Sequence, residues 1–198
     1  SKILWLNANK KNNYNPSLES LSIETLENTT IMYLCFPSNP HGALTDLNYL
    51  MKAVKLAKKY EYTNDPTLLN YLGLFYHNGF GVKQNYKKAS FYYDKAIKNG
   101  STYAYSNMGL LYEEGNGVEL DLSKALSLHK EGHDLKNYFS TYNLGRFYFF
   151  GIGIEKNKNY GLQLLKEADQ NEEVQATTKL GDIYYEGDGV KKNYKLAM

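Results

Sequence analysis

The chain is 198 residues long, 42% of them apolar, and carries a formal net charge of +2, so it can build a core and lacks the composition of a disordered segment. Its 23 Lys and Arg are interspersed with 21 Asp and Glu; no basic stripe for gripping phosphates stands out, and nucleic acid is not an expected partner. No 18 apolar residues run together, which excludes a membrane-spanning helix, and hence direct membrane insertion, in this segment.

In chain order, residues 1–13 read as a ragged start. The opening residues lack the basic and apolar stretches of a signal peptide. A first helix is expected within residues 17–36, entered through Asn15-Pro16 and left through residues 37–42. A second, at residues 47–60, would bury Ala53, Leu56, Ala57 and Tyr60. Together they make residues 1–64 a divergent N-terminal part that includes a degenerate repeat. Cys35, the single cysteine, excludes an internal disulfide framework. Its neighbour His41 could serve as a base, but no third partner or oxyanion signature accompanies the two, so a buried thiol is the reading.

From Asp65 onward the chain repeats every 36 residues without insertion. Leu72-Gly73 returns as Met108-Gly109, Leu144-Gly145 and Leu180-Gly181. Three residues past each glycine stand Tyr76, Tyr112, Tyr148 and Tyr184, expected in the core. The pairs Gly79/Gly81, Gly115/Gly117, Gly151/Gly153 and Gly187/Gly189 follow, then Val82, Val118, Ile154 and Val190. A fixed period of this length means stacked supersecondary units. Asp65-Pro66 reads as N-cap and first residue of helix A in the first unit. In the second unit helix A runs about 102–114, with Ala104, Met108, Leu111 and Tyr112 on one face. Gly109 has no Cβ, so the partner helix can come close; Gly115 ends the helix in a left-handed residue. Asn85, Asp121, Asn157 and Asn193 are the expected N-caps of the B helices. Helix B would bury Ala89, Tyr92, Tyr93 and Ala96 in the first unit, Ala125, Leu128, His129 and Gly132 in the second, and Gly161, Leu164, Leu165 and Ala168 in the third. The fourth unit reaches only Ala197, so residues 65–198 read as an array of about three and a half units that continues beyond this segment.

These residues resemble the Sel1-like repeat family, whose pattern places A-x-x-x-L-G-x-x-Y-x-x-G-x-G-V before an acidic or amide residue and K-A. Here it is carried by Ala104, Met108-Gly109, Tyr112, Gly115, Gly117-Val118, Asp121 and Lys124-Ala125. A tetratricopeptide array would have a shorter period and no G-x-G-V loop. The resemblance implies an all-α fold, a right-handed α-solenoid of antiparallel helix pairs. It also implies an adaptor role, such as endoplasmic-reticulum quality control beside a ubiquitin ligase, activation of cell-wall synthases, or bacterial contact with host cells. The disulfide-rich branch of the family does not fit a chain with one cysteine. Endoplasmic-reticulum lumen, cytoplasm and bacterial envelope all remain open as compartments.

Three motifs invite chemistry and receive a structural reading instead. The G-x-G pairs lack the third glycine of a dinucleotide fingerprint, since Gln84, Leu120, Lys156 and Lys192 stand there, so no cofactor is expected. His129 and His133 are four apart, yet His129 occupies the core position held elsewhere by Tyr93 and Leu165, which argues against a metal pair. No convergent acid, base and nucleophile occur, so the segment is read as non-catalytic.

Partner binding is expected on the face of helix A opposite its buried one, which lines the concave surface of a helix-pair solenoid. The positions two before, one after and five after the glycine read Tyr71, Leu74 and Asn78; Asn107, Leu110 and Glu114; Asn143, Arg146 and Phe150; and Lys179, Asp182 and Glu186. Leu74, Leu110 and Phe150 would form an apolar row with Arg146 among them, and aromatic and arginine residues are frequent anchors. The expected partner is a protein or peptide, and the oligomeric state is open. Two other readings are a non-catalytic segment of a larger enzyme and a structural spacer.

Overall fold

The computed structural model describes residues 64–80 and 82–195. The expected helices within residues 17–36 and 47–60, Cys35 with His41, Gly81 and Ala197 lie outside them. Seven helices and no strand make up the described residues: α1 (Pro66–Asn78), α2 (Tyr86–Lys98), α3 (Tyr103–Glu114), α4 (Leu122–Asp134), α5 (Tyr138–Phe150), α6 (Lys158–Gln170) and α7 (Val174–Glu186). The fold is an all-α array of helix pairs. The chain divides into two compact bodies between Asn99 and Gly100.

In the first body α1 packs on α2. Asp65 caps α1, its carboxylate accepting from the Thr67 and Leu68 amides at 2.9 and 3.0 Å, ahead of Pro66. In the second body successive helices from α3 to α7 pack on one another, and α3 also meets α5, as α5 meets α7. The A helices therefore form one layer in this body, and α4 and α6 back it.

The same local chemistry builds every pair. Gly79, Gly115, Gly151 and Gly187 end the A helices at φ 75, 69, 77 and 73°, where a residue with a Cβ is disfavoured. The amide twelve residues past each helix-A glycine then returns to the carbonyl of the tyrosine at the repeated offset: Asn85 to Tyr76 at 2.8 Å, Asp121 to Tyr112 at 3.0, Asn157 to Tyr148 at 2.8 and Asn193 to Tyr184 at 3.0. Asn85, Asp121 and Asn157 also cap α2, α4 and α6 through their side chains, satisfying orphan amides of the first turn. The hairpin angle is thus set by backbone bonds at both ends of the loop.

Helix B buries the residues its periodicity indicates in all three complete pairs. The glycine inside helix A faces them twenty residues on. A Cβ on Gly73 would overlap the Tyr93 ring; one on Gly109 would lie 2.5 Å from His129 Cε1, and one on Gly145 3.0 Å from Leu165 Cγ.

One expectation is corrected. Tyr76 is buried, but Tyr112, Tyr148 and Tyr184 are only half-buried. The inward seat belongs to the residue before each of them (Phe75, Leu111, Phe147 and Ile183), all at most 2% exposed. The Tyr148 ring leans instead on the first turn of α6, edge-on against Tyr160 at 4.7 Å, and Tyr184 packs at the margin of the Phe149 cluster.

Candidate functional site

The outward face of the A helices is not uniform. On α1, Tyr71 and Leu74 are half-buried and Asn78 is exposed. On α3, Asn107 and Leu110 are half-buried, and exposed Glu114 accepts from Asn116 Nδ2 at 2.6 Å. On α7, Lys179 is half-buried and bonds exposed Asp182 at 3.2 Å, while Glu186 is exposed.

Helix α5 departs from the expectation. Asn143, placed on the outward face by the repeat register, is buried at 1% exposure. Its Nδ2 donates to the Phe139 carbonyl at 2.9 Å and its Oδ1 accepts from Arg146 Nη1 at 2.8 Å. It therefore offers no surface; it holds Arg146 in place from beneath. The Arg146 guanidinium also reaches α3, where Nη2 donates to Glu113 Oε1 at 2.9 Å and Nη1 to Oε2 at 3.4 Å, and it lies 5.8 Å from the Tyr142 ring centroid. Both partners are well covered, with side chains 23% and 15% exposed. This fork-to-fork pair fixes geometry as well as contributing energy. Arg146 is thus a brace between neighbouring A helices. Glu113 went unnoticed in the sequence; the signal was an acid four residues past Gly109 opposite the sole arginine.

Phe150, at the C-terminal end of α5, is 44% exposed and packs edge-on against Phe149 at 5.0 Å. The two neighbours separate completely. Phe149 is fully buried and forms a cluster with Leu165, Leu180 and Ile183, flanked by Val190 and Tyr184. Gly161 makes room for it, since a Cβ there would lie 2.5 Å from the Phe149 amide nitrogen. Leu110, Arg146 and Phe150 thus belong to one body and one helix layer, braced by Glu113 and Asn143.

His129 is fully buried, stacked edge-on against Phe147 at 5.4 Å, and held down to about 3 by burial and then by the Arg146 charge. His133 bonds Thr141 Oγ1 at 2.9 Å. The spacing that suggested a metal pair is filled by packing. Burial pushes the Tyr93 phenol up. Burial also raises the Glu173 carboxyl, opposed by the Gln175 amide it accepts from. Among the described residues no three or more of His, Cys, Asp and Glu gather as they would around a metal ion, and no helix is long and apolar enough to cross a membrane.

Comparison with known proteins agrees with this geometry. The pattern described as Sel1 repeat matches residues 68–101, 102–132, 139–168 and 174–198, so its first three copies coincide with the pairs α1–α2, α3–α4 and α5–α6. Among solved structures, a Sel1 repeat protein from Oxalobacter formigenes is 26% identical with a TM-score of 0.65, over 76% of this chain and 64% of that one. A protective antigen present in uropathogenic Escherichia coli strains, displaying an SLR fold, is 26% identical with a TM-score of 0.63, over 79% of this chain and 34% of that one. A 48-residue stretch, 24% of this chain, is 42% identical to LL-diaminopimelate aminotransferase of Methanococcus maripaludis and spans 12% of that protein.

Proposed function

The chain belongs to the Sel1 repeat family, and from that premise we propose that it is a non-catalytic scaffold that holds a protein or peptide partner on the outward face of its A helices. Sel1 repeat proteins generally serve as protein-interaction scaffolds. The observation that carries the reading is Phe150, a large apolar side chain left 44% exposed on a helix whose neighbour Phe149 is fully buried. An aromatic on a rigid, braced helix loses little entropy when a partner covers it, which is what binding anchors require. On the same face by repeat register, half-buried Leu110 adds apolar surface, and Glu114, Asp182 and Glu186 are exposed acids. Leu74, with Tyr71 and Asn78, supplies the corresponding face of the first body. The setting is a membrane-associated complex such as endoplasmic-reticulum quality control or cell-wall synthase regulation, or a bacterial surface that meets host cells.

The test is affinity capture from native lysate with two baits, the natural chain and one carrying Leu110→Asp and Phe150→Asp. Removing such an anchor costs about 2 kcal/mol, or about 30-fold in affinity. A partner lost from the altered bait, whose helicity and Tm match the natural chain, is the expected result. Equal recovery of every captured protein from both baits contradicts the proposed face.

A second reading draws on the 48-residue match to an aminotransferase: the array would be a non-catalytic segment of a larger enzyme. A full-length transcript that encodes a catalytic domain supports it, and one composed of repeats alone removes it.

A further inference from the structure

The position twenty residues past the helix-A glycine is the plug of each pair. It is Tyr93 in α2, Leu165 in α6 and His129 in α4. His129 is fully buried, and neither ring nitrogen has a hydrogen-bond partner. An imidazole in such a seat forgoes the bonds it would make in water, a cost that a leucine would not incur. The ring lies directly on the α3 backbone at Gly109 and against Phe147 of α5. It is out of solvent while the pair is closed.

We propose that the helix pair α3–α4 is an acid-sensitive joint of the array, held shut by a neutral His129 and released when acidification charges that imidazole. A protonated ring would present two donors to a seat that offers no acceptor. The charged groups around it do not help. From α5 the acting charge is Arg146, which opposes a second positive charge. From α3, Glu113 lies one turn beyond Gly109, and its carboxylate is already engaged by Arg146. On α4 itself Lys130 and Glu131 are exposed, and His133 is bonded to Thr141. Tyr105 of α3 packs near Gly132 and adds no acid to the seat. Charge on His129 is therefore accommodated only when α4 withdraws. Neither Tyr93 nor Leu165 can be charged by acid, so the pairs α1–α2 and α5–α6 lack this trigger.

The sign follows from the direction of the shift. The closed pair holds His129 down to about 3, against 6.5 for a free ring. Between those values the opened form takes up a proton that the closed form refuses, so closure is full above the upper value and weakens as the pH falls toward the lower one.

The experiment is hydrogen exchange by mass spectrometry on the natural chain at pH 7.5 and pH 5, expressed as protection factors. Opening of α3–α4 is expected to rise about 30-fold between the two, while α6 changes far less. In His129→Leu, which installs the residue found at the same position in α6, the pH effect on α3–α4 should vanish. Equal protection of α3–α4 at both pH values, or an equal loss in His129→Leu, overturns the proposal. Should that variant fail to fold, NMR titration of the natural chain decides. A His129 ring that stays neutral as long as the α4 amides are protected is the expected outcome. A ring that titrates near 6.5 with α4 still protected overturns it.

Discussion

The pairs α3–α4 and α5–α6 share a glycine-ended first helix, a second helix of 13 residues and an N-cap amide that closes on a tyrosine carbonyl, at 3.0 Å for Asp121 and 2.8 Å for Asn157. They differ in what fills the space between the helices. In α5–α6 the plug is Leu165, and Gly161 admits Phe149 to an apolar cluster with Leu180 and Ile183. In α3–α4 the plug is an unpaired imidazole, Ala125 stands in place of Gly161, and Glu113 stands in place of Phe149, paired with Arg146. Backbone chemistry therefore makes the pair, and a few side-chain seats decide how tightly and under what conditions it stays closed.

The comparison is broken most severely at Phe149. Phe149→Ala should cost about 3–5 kcal/mol in urea unfolding, whereas Phe150→Ala, one residue on and exposed, should stay within about 0.5 kcal/mol. Next is the helix-A glycine. Gly109→Ala drives a Cβ into the rigid His129 ring at 2.5 Å and should cost about 2 kcal/mol, outweighing the gain of about 1 kcal/mol in helix propensity. Gly145→Ala meets the branch point of Leu165 at 3.0 Å, which can shift by a few tenths of an ångström, and its Tm should change little. A smaller effect is the pH term. Unfolding free energy of the natural chain at pH 5.5 should lie about 1.4 kcal/mol below its value at pH 7.5 because of His129, and His129→Leu should flatten that slope. The smallest concerns the turns between pairs. Lys136 and Glu172 both hold positive φ, 62 and 64°, where Gly100 stands at the corresponding place with φ 94°. Lys136→Gly should stabilise by about 0.5 kcal/mol, read as a rise in Tm.

The parts of the fold legible in the sequence were those that depend on neighbours along the chain. The caps at Asp65, Asn85, Asp121 and Asn157, the terminating glycines and the buried faces of the B helices all rest on offsets of a few residues within one helix. What escaped notice rests on seats that other helices create. The Arg146–Glu113 brace spans 33 residues, Lys158 pairs with Asp188 across 30, and Asn143 turned inward because Arg146 needed a support. Phe149 was hidden for a similar reason: its seat exists only because a glycine, Gly161, occupies the next helix. The candidate face was accordingly half legible. Phe150, Asp182, Glu186, Glu114 and Asn78 are exposed as the register indicates, while α5 recruited two of its three outward positions into a structural brace.

The scaffold reading is tested most directly by where a bound partner touches the chain. A photo-crosslinking phenylalanine analogue can be placed at position 150, on an A helix, and separately at position 91, on a B helix, where Phe91 is 60% exposed. The proposed arrangement predicts a partner adduct from position 150 that unlabelled chain competes away, with little or none from position 91. A competable adduct from position 91 and none from 150 would contradict it.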